Sequence, residues 1–332
     1  MSNAYDRAGV SDSGGAAAVA ALVESLAKID PGRPSRQVLG SGHYANVIRL
    51  DEETGIALST DGVGTKLVLA EQLRRWDTVG IDCVAMNVND LICVGAEPLA
   101  MLDYIALPSA DPELTAELGV GLRKGAELAG IEIPGGELAQ LGDLVSGLDL
   151  VGAAFGIVAL DAVLTGEAIE PGDPVIGLPS SGLHSNGYTL ARAALEGIPL
   201  DDESLGSSLG ELLLEPTEIY VAAILELVRS TVEVRGLAHI TSGGLGNLLR
   251  LEAPVGYEID DPLEPQPIFE LIRERGQVEL DEMHRVFNMG CGFCVVVQAA
   301  DEQAALELIR AHYPAAKRIG NATAAAGELT QA

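Results

Sequence analysis

The stretch Thr60-Asp61-Gly62-Val63-Gly64-Thr65-Lys66 turns an apolar, strand-like run at residues 56–59 into a glycine loop. The two glycines let the backbone approach a phosphate closely, while the acid and the lysine supply charge. The stretch has neither the P-loop spacing nor the spacing of a dinucleotide-binding fingerprint. Two interpretations remain open, a phosphate-binding loop and an ordinary glycine turn with a solvated aspartate.

A predicted helix over residues 77–94 carries the second signal, Asn87-Val88-Asn89-Asp90. Val84, Val88 and Leu91 fall at helical spacing and form its apolar stripe. Asparagine and aspartate are unfavourable inside helices because their side chains compete for backbone hydrogen bonds. A Mg²⁺-nucleotide site would offset that cost, since Mg²⁺ binds carboxylate, phosphate and water oxygens. The alternative is a solvated helix face.

Three further glycine-bearing turns follow strand-like segments. Gly135-Gly136-Glu137 offers a third carboxylate for a metal, although loop acids of this kind are more often solvated. Ser181-Gly182-Leu183-His184-Ser185-Asn186-Gly187 combines backbone amides, polar side chains and a histidine able to transfer protons, which suits a substrate phosphate or amide. His239-Ile240-Thr241-Ser242-Gly243-Gly244 has the same character, and its histidine is equally suited to a structural role.

Length and charge narrow the classes of function. A chain of 332 residues predicts two domains, and a composition shift at residues 165–173 places their boundary after residue 164. The net charge of −29 disfavours nucleic acid and anionic membranes as partners. We find no signal peptide and no unbroken apolar run of about eighteen residues, which predicts a soluble cytoplasmic protein.

The four cysteines are predicted to be buried thiols. Cys291 and Cys294 form a Cys-x-x-Cys pair, but no second pair has the spacing of a structural zinc site. The pair also runs into a strand-like valine segment, where a free cysteine behaves as a small apolar residue. The alanine-rich stretch at residues 322–326 is predicted to be a frayed end.

Taken together, these segments resemble the aminoimidazole ribonucleotide synthetase family, the phosphoribosylformylglycinamidine cyclo-ligases, along nearly the whole chain. The matching segments are Tyr5-x-x-Ala8-Gly9-Val10, residues 60–66, residues 77–82, Asn89-Asp90-Leu91, Gly95-Ala96-Glu97-Pro98, residues 177–188, Glu215-Pro216-Thr217-x-x-Tyr220, His239-Ile240-Thr241 and Glu282-Met283-x-Arg285-x-Phe287-Asn288-Met289-Gly290. The chain departs from the usual family pattern at residues 42–46, at residues 137–142 and at Ser242.

The resemblance implies two α+β domains and a homodimer in which the first domains share a β-barrel. Residues 1–164 would bind Mg²⁺-ATP and dimerise, and residues 165–332 would bind the substrate. By the same resemblance Asp61, Asp90 and Glu137 would hold the metal. The implied ATP-binding residues are Gly40, Gly42, Asp61, Gly62, Gly64, Thr65, Asn89, Asp90, Gly136 and Glu137.

The implied ribonucleotide-binding residues are Ser181, His184, Ser185, Asn186, Thr241, Gly243 and Gly244, and the implied catalytic residues are His184, Lys66 and Asp61. In the implied reaction, ATP phosphorylates a formamide oxygen of formylglycinamidine ribonucleotide and the amidine nitrogen closes the imidazole ring. Phosphoryl transfer of this kind requires positioning and charge neutralisation more than a protein nucleophile. The alternatives are a related ATP-dependent synthetase or kinase with another substrate and a non-catalytic nucleotide-binding subunit.

Overall fold

The computed structural model describes Ala4 and residues 12–331, and its first half is built on one mixed sheet. The strand order is β1-β2-β3-β6-β4-β5, with antiparallel pairs throughout except for β4 and β5. The elements are α1 (Asp12–Leu26), β1 (Gln37–Leu39), β2 (Asn46–Arg49), β3 (Thr54–Gly62), α2 (Lys66–Leu73), α3 (Val79–Cys93), β4 (Glu97–Leu107), α4 (Pro112–Ala129), β5 (Glu132–Gln140) and β6 (Asp149–Ala159).

The second half is built on another six-stranded sheet with the order β12-β9-β11-β7-β10-β8. β10 lies between β7 and β8, and all its residues are buried, as expected for a continuous apolar strand. The elements are β7 (Pro174–Pro179), α5 (Tyr188–Ala194), α6 (Leu209–Leu214), α7 (Val221–Val228), β8 (Val234–His239), β9 (Gly256–Ile259), α8 (Pro267–Gly276), α9 (Leu280–Val286), β10 (Cys291–Val297), α10 (Glu302–His312), β11 (Lys317–Thr323) and β12 (Leu329–Gln331).

Helix α3 occupies the centre of the molecule. On one side it packs against β3 and β6 of the first sheet, and on another against α4. It also contacts β8 and α7 of the second half. Every residue of α3 except Asp90 is buried, so the helix is enclosed by both halves of the chain.

The observed helices and strands confirm one predicted element and contradict another. The helix predicted at residues 77–94 is confirmed as α3, whereas the predicted frayed end is wrong because Ala322 belongs to β11 and β12 pairs with β9. The strand orders of the described residues close no barrel. The boundary after residue 164 stays a prediction, and it falls in the stretch between β6 and β7.

The matching segment at residues 5–10 falls outside the described residues. Among the helices of the described part of the chain, none is both long and apolar enough to cross a membrane.

Glycines make the close contact between α3 and α4 possible. A Cβ atom on Gly121 would lie 2.4 Å from the Asp77 carbonyl oxygen, and one on Gly80 would lie 2.4 Å from the Leu122 nitrogen. Real Cβ atoms do not approach backbone atoms this closely, so the helices would have to separate. The two helices therefore touch backbone to backbone.

We predict that Gly121→Ala destabilises the protein by about 2 kcal/mol or more, because the added methyl group overpacks this contact. Gly119→Ala is the matched control on the same helix, since a Cβ there meets nothing within 4 Å. The control should be neutral or stabilising by up to about 1 kcal/mol, because alanine favours helix over glycine. Urea unfolding of both variants checks this, and equal free energies of unfolding would contradict it.

Candidate active site

Asp61, near the end of β3, is joined to α3 through Asn87. The Asp61 backbone N–H donates to Asn87 Oδ1 at 2.9 Å, and Asn87 Nδ2 donates to the Asp61 carbonyl oxygen at 3.1 Å. Asn87 Nδ2 also donates to the Cys83 carbonyl oxygen at 2.8 Å, one turn earlier in the helix. These hydrogen bonds satisfy the buried amide and compensate for an asparagine inside a helix. Asn87 therefore sets the position of Asp61.

Asp90 meets His239 across the interface between the two halves. Asp90 Oδ1 lies 2.9 Å from His239 Nδ1, and the histidine side chain is fully buried while 17% of the aspartate side chain is exposed. His239 ends β8, directly before the loop at residues 241–244. The contact fixes the orientation of the only residue of α3 that is not buried.

Asn89 is also fully occupied by the second half of the chain. Its Nδ2 donates to the Glu218 carbonyl oxygen at 2.8 Å, and its Oδ1 accepts from the Tyr220 N–H at 3.0 Å. The side chain is fully buried. Both ends of its amide thus bind backbone groups of the second half, which gives Asn89 a structural role here, and its predicted role in nucleotide binding stays a prediction.

The carboxylates of Asp61 and Asp90 form the electrostatic centre of this region. Burial and, to a smaller extent, the negative charge of Asp90 together raise the pKa of Asp61 to about 6, against the opposing effects of the Gly62 N–H and His239. Partly buried carboxylates that repel each other suit a divalent cation, and oxygen donors suit Mg²⁺. Within the described range, no group of three or more His, Cys, Asp or Glu side chains could hold a metal.

Glu137 does not join Asp61 and Asp90 as predicted. In the first sheet Asp61 pairs with Gly152, Gly152 pairs with Asp103, and Asp103 pairs with Gly136. Because side chains alternate along a strand, Glu137 lies on the opposite face of the sheet from this row. Asp103 is a half-buried acid that the prediction missed, and burial raises its pKa. Its only sequence signal was an acid inside a strand-like segment.

Lys66 does not project toward the predicted phosphate site. Its ammonium group is fully buried and pairs with Asp82 at 2.8 Å. It also donates to the carbonyl oxygens of His184 at 3.2 Å and Glu215 at 2.6 Å. These acceptors already use its three N–H groups, so the predicted catalytic role of Lys66 finds no support in its contacts and stays a prediction.

His184 is likewise enclosed rather than presented to a substrate. The side chain is 1% exposed, and its Nε2 accepts from the Ser181 N–H at 3.3 Å. Burial lowers the pKa of His184 well below the ordinary value, and His239 and Lys66 lower it further. A neutral, enclosed imidazole is a poor proton donor near pH 7, so the predicted role in proton transfer is not supported.

The remaining polar residues of the 181–187 turn lie close to the interface. The Ser185 hydroxyl oxygen lies 3.2 Å from that of Thr217, and the Ser181 hydroxyl donates to the Pro216 carbonyl oxygen at 2.5 Å. Asn186 Nδ2 lies 4.0 Å from Met86 Sδ on α3. All three serine and asparagine side chains are only partly buried, so they stay available at the edge of the turn.

The loop at residues 40–44 contacts the segment at residues 241–252, most of which is the 3₁₀ helix Gly244–Arg250. The Tyr44 hydroxyl donates to the Asn247 carbonyl oxygen at 2.8 Å, and the Arg250 guanidinium lies 4.1 Å from the centre of the Tyr44 ring. Asn247 Oδ1 also accepts from the Thr241 N–H at 2.8 Å, which holds the loop that carries Gly243 and Gly244. The structure thus brings a predicted ATP segment against a predicted substrate loop. Neither Asn247 nor Arg250 had a motif that marked it.

Two other sequence patterns carry no catalytic chemistry here. Residues 206–210 have the G-x-S-x-G spacing of a hydrolase, but the Ser208 hydroxyl caps α6 by accepting from the Glu211 N–H at 3.3 Å. Cys291 and Cys294 are buried thiols, as predicted, with 3.6 Å between their sulfur atoms.

We predict that Asp61→Asn stabilises the ligand-free protein at pH 8. The raised pKa means that ionised Asp61 opposes folding, and this penalty grows as the pH rises from about 4 through about 6. Its upper bound is about 3 kcal/mol, and partial exposure should reduce it to about 1–2 kcal/mol. At pH 4 the two proteins should differ little, because the carboxyl group is mostly protonated in the folded state and its penalty is small.

Urea unfolding in EDTA at both pH values measures this difference. Asp143→Asn, an exposed loop substitution, serves as the control and should leave the free energy of unfolding unchanged at both pH values. A lower stability of Asp61→Asn than of the unmodified chain at pH 8 would contradict the prediction.

The sequence matches two family models, one in each half of the chain. Residues 42–158 match the model described as "AIR synthase related protein, N-terminal domain", and residues 170–330 match the corresponding C-terminal domain. A protein named phosphoribosylformylglycinamidine cyclo-ligase from Pyrococcus furiosus is 50% identical, over 93% of this chain and 92% of that protein. One of the same name from Methanothermobacter thermautotrophicus is 52% identical over 83% of each chain.

Solved structures with the same fold are more distant. The hydrogenase maturation protein HypE in complex with ATP superimposes with a TM-score of 0.62 at 19% identity, covering 86% of this chain and 83% of that one. AaThiL complexed with AMPPCP and TMP gives a TM-score of 0.63 at 16% identity, covering 87% of each chain. At this level of identity the likeness shows the fold alone.

Proposed function

The chain belongs to the AIR synthase related family, and we propose that it catalyses the ATP-dependent cyclisation of formylglycinamidine ribonucleotide to aminoimidazole ribonucleotide in purine biosynthesis. One observation carries this function: relatives about half identical over most of both chains are named phosphoribosylformylglycinamidine cyclo-ligases. HypE and the thiamine-monophosphate kinases share the fold at 16–22% identity, which gives their substrates no comparable support. We expect neither nucleic acid nor a membrane as a partner, and we expect the protein in the cytoplasm.

The reaction has two stages. The γ-phosphoryl group of ATP passes to the formamide oxygen, which releases ADP and converts that oxygen into a phosphate leaving group. The amidine nitrogen then attacks the formyl carbon, phosphate leaves with the oxygen, and the imidazole ring closes with loss of a proton. No protein nucleophile is needed, so binding, orientation and exclusion of water are the work of the protein.

Asp61 and Asp90 are the residues proposed to hold Mg²⁺. Their mutual repulsion and the raised pKa of Asp61 fit a pair that a cation neutralises. When bound, Mg²⁺ neutralises the charge of the nucleotide phosphates. Asn87 holds the backbone of Asp61, and His239 holds the Asp90 carboxylate, as their hydrogen bonds indicate.

The backbone around Asp61 is proposed to receive the nucleotide. Gly62, Gly64 and Thr65 continue from Asp61 into the loop before α2, and Gly64 has a positive φ of 71°. Gly136 lies in the same row of the sheet as Asp61, where a side chain would collide with Asp103. Gly40 and Gly42 would complete the site from the loop that Arg250 and Asn247 hold.

The ribonucleotide is proposed to bind between the 181–187 turn and the 241–244 loop. Ser181, Ser185 and Asn186 line the edge of the turn, and their side chains are only partly buried. Thr241, Gly243 and Gly244 form the facing loop, in which both glycines have positive φ values. Lys66 and His184 are left out of the reacting groups because both are enclosed.

We expect the purified chain with Mg²⁺, ATP and formylglycinamidine ribonucleotide to form ADP, phosphate and aminoimidazole ribonucleotide in equal amounts. Asp90→Asn should remain folded and lose at least about a hundredfold in kcat/KM, because half of the carboxylate pair is gone. Asp201→Asn, an exposed acid outside the site, should keep full activity. Product analysis and calorimetric titration with Mg²⁺-AMPPCP measure turnover and nucleotide affinity.

Four results would contradict parts of this assignment. Absence of all three products would remove the cyclo-ligase reaction, and nucleotide binding without turnover would indicate a non-catalytic subunit. Unchanged nucleotide affinity in Asp90→Asn would remove the role of Asp90. Turnover only with another amide or phosphate acceptor would indicate a related synthetase or kinase.

We further propose that the chain forms a homodimer through the face of the first sheet opposite α3. This face exposes large apolar side chains on neighbouring strands, with Leu58 paired to Phe155 and Leu102 paired to Ala153. Tyr104 and Ile157 on the same strands are also 41% and 40% exposed. A contiguous exposed apolar face of this kind marks an interface. Glu137 lies beside Tyr104 on this face, where it would be near the second copy.

The double variant Leu102→Glu/Phe155→Glu should be monomeric, because two charges would have to be buried in the interface. Leu144→Glu is the control, since this leucine is 80% exposed and lies in a loop outside the described strands. Light scattering after gel filtration measures the mass of each. An unmodified chain that is already monomeric, or a double variant that stays dimeric, would contradict this interface.

A further inference from the structure

Lys66 joins the predicted nucleotide loop directly to the second half of the chain. It follows Thr65 at the end of the glycine loop and begins α2, yet its side chain is fully buried. Its Nζ lies 2.8 Å and 3.0 Å from the two carboxylate oxygens of Asp82 on α3. The same Nζ reaches the carbonyl oxygens of His184 and Glu215, which belong to the second half. One ammonium group therefore connects three segments.

Asp82 completes the connection from the other side. Its Oδ1 accepts from the Thr217 N–H at 2.7 Å and from the Thr217 hydroxyl at 2.6 Å. The lysine and aspartate are therefore bound to each other and, independently, to the segment at residues 215–217. A fully buried ion pair with further hydrogen bonds of this kind defines geometry more than it adds stability.

The acceptor at His184 is a strained residue. Its φ is +63°, a left-handed conformation that residues with side chains seldom adopt. The Lys66 ammonium holds the carbonyl of that same residue, and Ser185 and Asn186 follow at once. Strain of this kind persists where surrounding contacts enforce it, and it is common at functional sites.

We propose that Lys66 is a positioning residue that couples the nucleotide loop at residues 62–65 to the substrate turn at residues 181–187. A nucleotide that orders the loop also fixes the first turn of α2, and Lys66 passes this restraint to the His184 carbonyl. Ser185 and Asn186 are thereby held ready for the ribonucleotide. This assignment of the substrate turn rests on the proposed function, whereas the coupling itself depends only on the contacts of Lys66.

Hydrogen exchange of the full chain tests the coupling without turnover. Saturating Mg²⁺-AMPPCP should slow exchange in residues 181–187 of the unmodified chain by at least about fivefold, as expected for coupled sites. In Lys66→Met/Asp82→Asn the ratio of the exchange rates without and with the nucleotide should fall to about one. This double variant removes both charges, keeps the volume of the lysine stem and leaves an amide oxygen to accept from Thr217. Lys124→Met, an exposed lysine on α4, should behave as the unmodified chain.

Steady-state kinetics of the double variant distinguishes a positioning role of Lys66 from a general loss of structure. With formylglycinamidine ribonucleotide as substrate, the double variant should raise the KM of the ribonucleotide by about tenfold or more while the KM of ATP stays within about threefold. If the double variant is unfolded, the single variant Asp82→Asn takes its place, because it removes the charge that pairs with Lys66, keeps an oxygen for Thr217 and leaves the 181–187 turn untouched; it should give an intermediate exchange ratio. Its ratio decides the matter in that case, and an unchanged value counts against the proposal.

Four results would overturn the coupling. Two concern hydrogen exchange: no effect of the nucleotide on residues 181–187 in the unmodified chain, or the same exchange ratio in the double variant. The third is an equal rise of the KM values of ATP and the ribonucleotide. The fourth is a folded double variant that no longer binds the nucleotide. The last would return Lys66 to the phosphate site. If the unmodified chain shows the coupling but makes no product, the positioning role stands and the cyclo-ligase assignment fails.

Discussion

Complete burial of α3 is the constraint on which the rest of this structure depends. Three polar side chains, those of Asp82, Asn87 and Asn89, are fully buried on this helix. A buried polar group is destabilising unless it is bonded, and each of these finds its partners on a different part of the chain. Asp82 binds the 215–217 segment, Asn87 binds the end of β3, and Asn89 binds the backbone before α7. The helix can therefore occupy only one position between the two sheets.

The same helix that joins the halves also carries the proposed metal site. Asp90 is the one residue of α3 that is not buried, and Asp61 is held to the helix by Asn87, less than one turn before Asp90. The Asp90 carboxylate is thus set by His239 across the interface between the two halves, and the backbone of Asp61 is set by Asn87 within the first half. The mutual repulsion of the two carboxylates works against folding and favours a cation, a conflict that is typical of functional sites. Stability and binding are opposed at this point of the molecule.

The charge of the protein makes local capture of an anionic substrate necessary. The net charge of −29 repels a nucleotide at long range, and the lysine nearest to the glycine loop is already used by Asp82. Backbone N–H groups of the glycine turns and the proposed Mg²⁺ are then the main sources of attraction. Such attraction acts only at contact distance, which suits a site that must select its substrate by shape.

Sequence by itself determined the family, the two-part α+β organisation and the importance of residues 60–66 and 87–90. These features were readable because glycine turns and polar residues inside a helix violate local preferences, and a violation points to a tertiary cause. Which cause applied was not readable. Asn89, Lys66 and His184 were assigned to ligands, whereas the fold uses them to join its two halves.

Tertiary structure alone decided those roles, because they depend on residues far away in the chain. Lys66 finds acceptors about 120 and 150 positions later, and Asp90 finds its histidine 149 positions later. Glu137 and Asp61 lie on opposite faces of the first sheet because side chains alternate along each strand. Which residues of neighbouring strands share a face follows only from the register of β4, β5 and β6. Spacing along the chain determines which residues share an element, and packing determines which elements share a site.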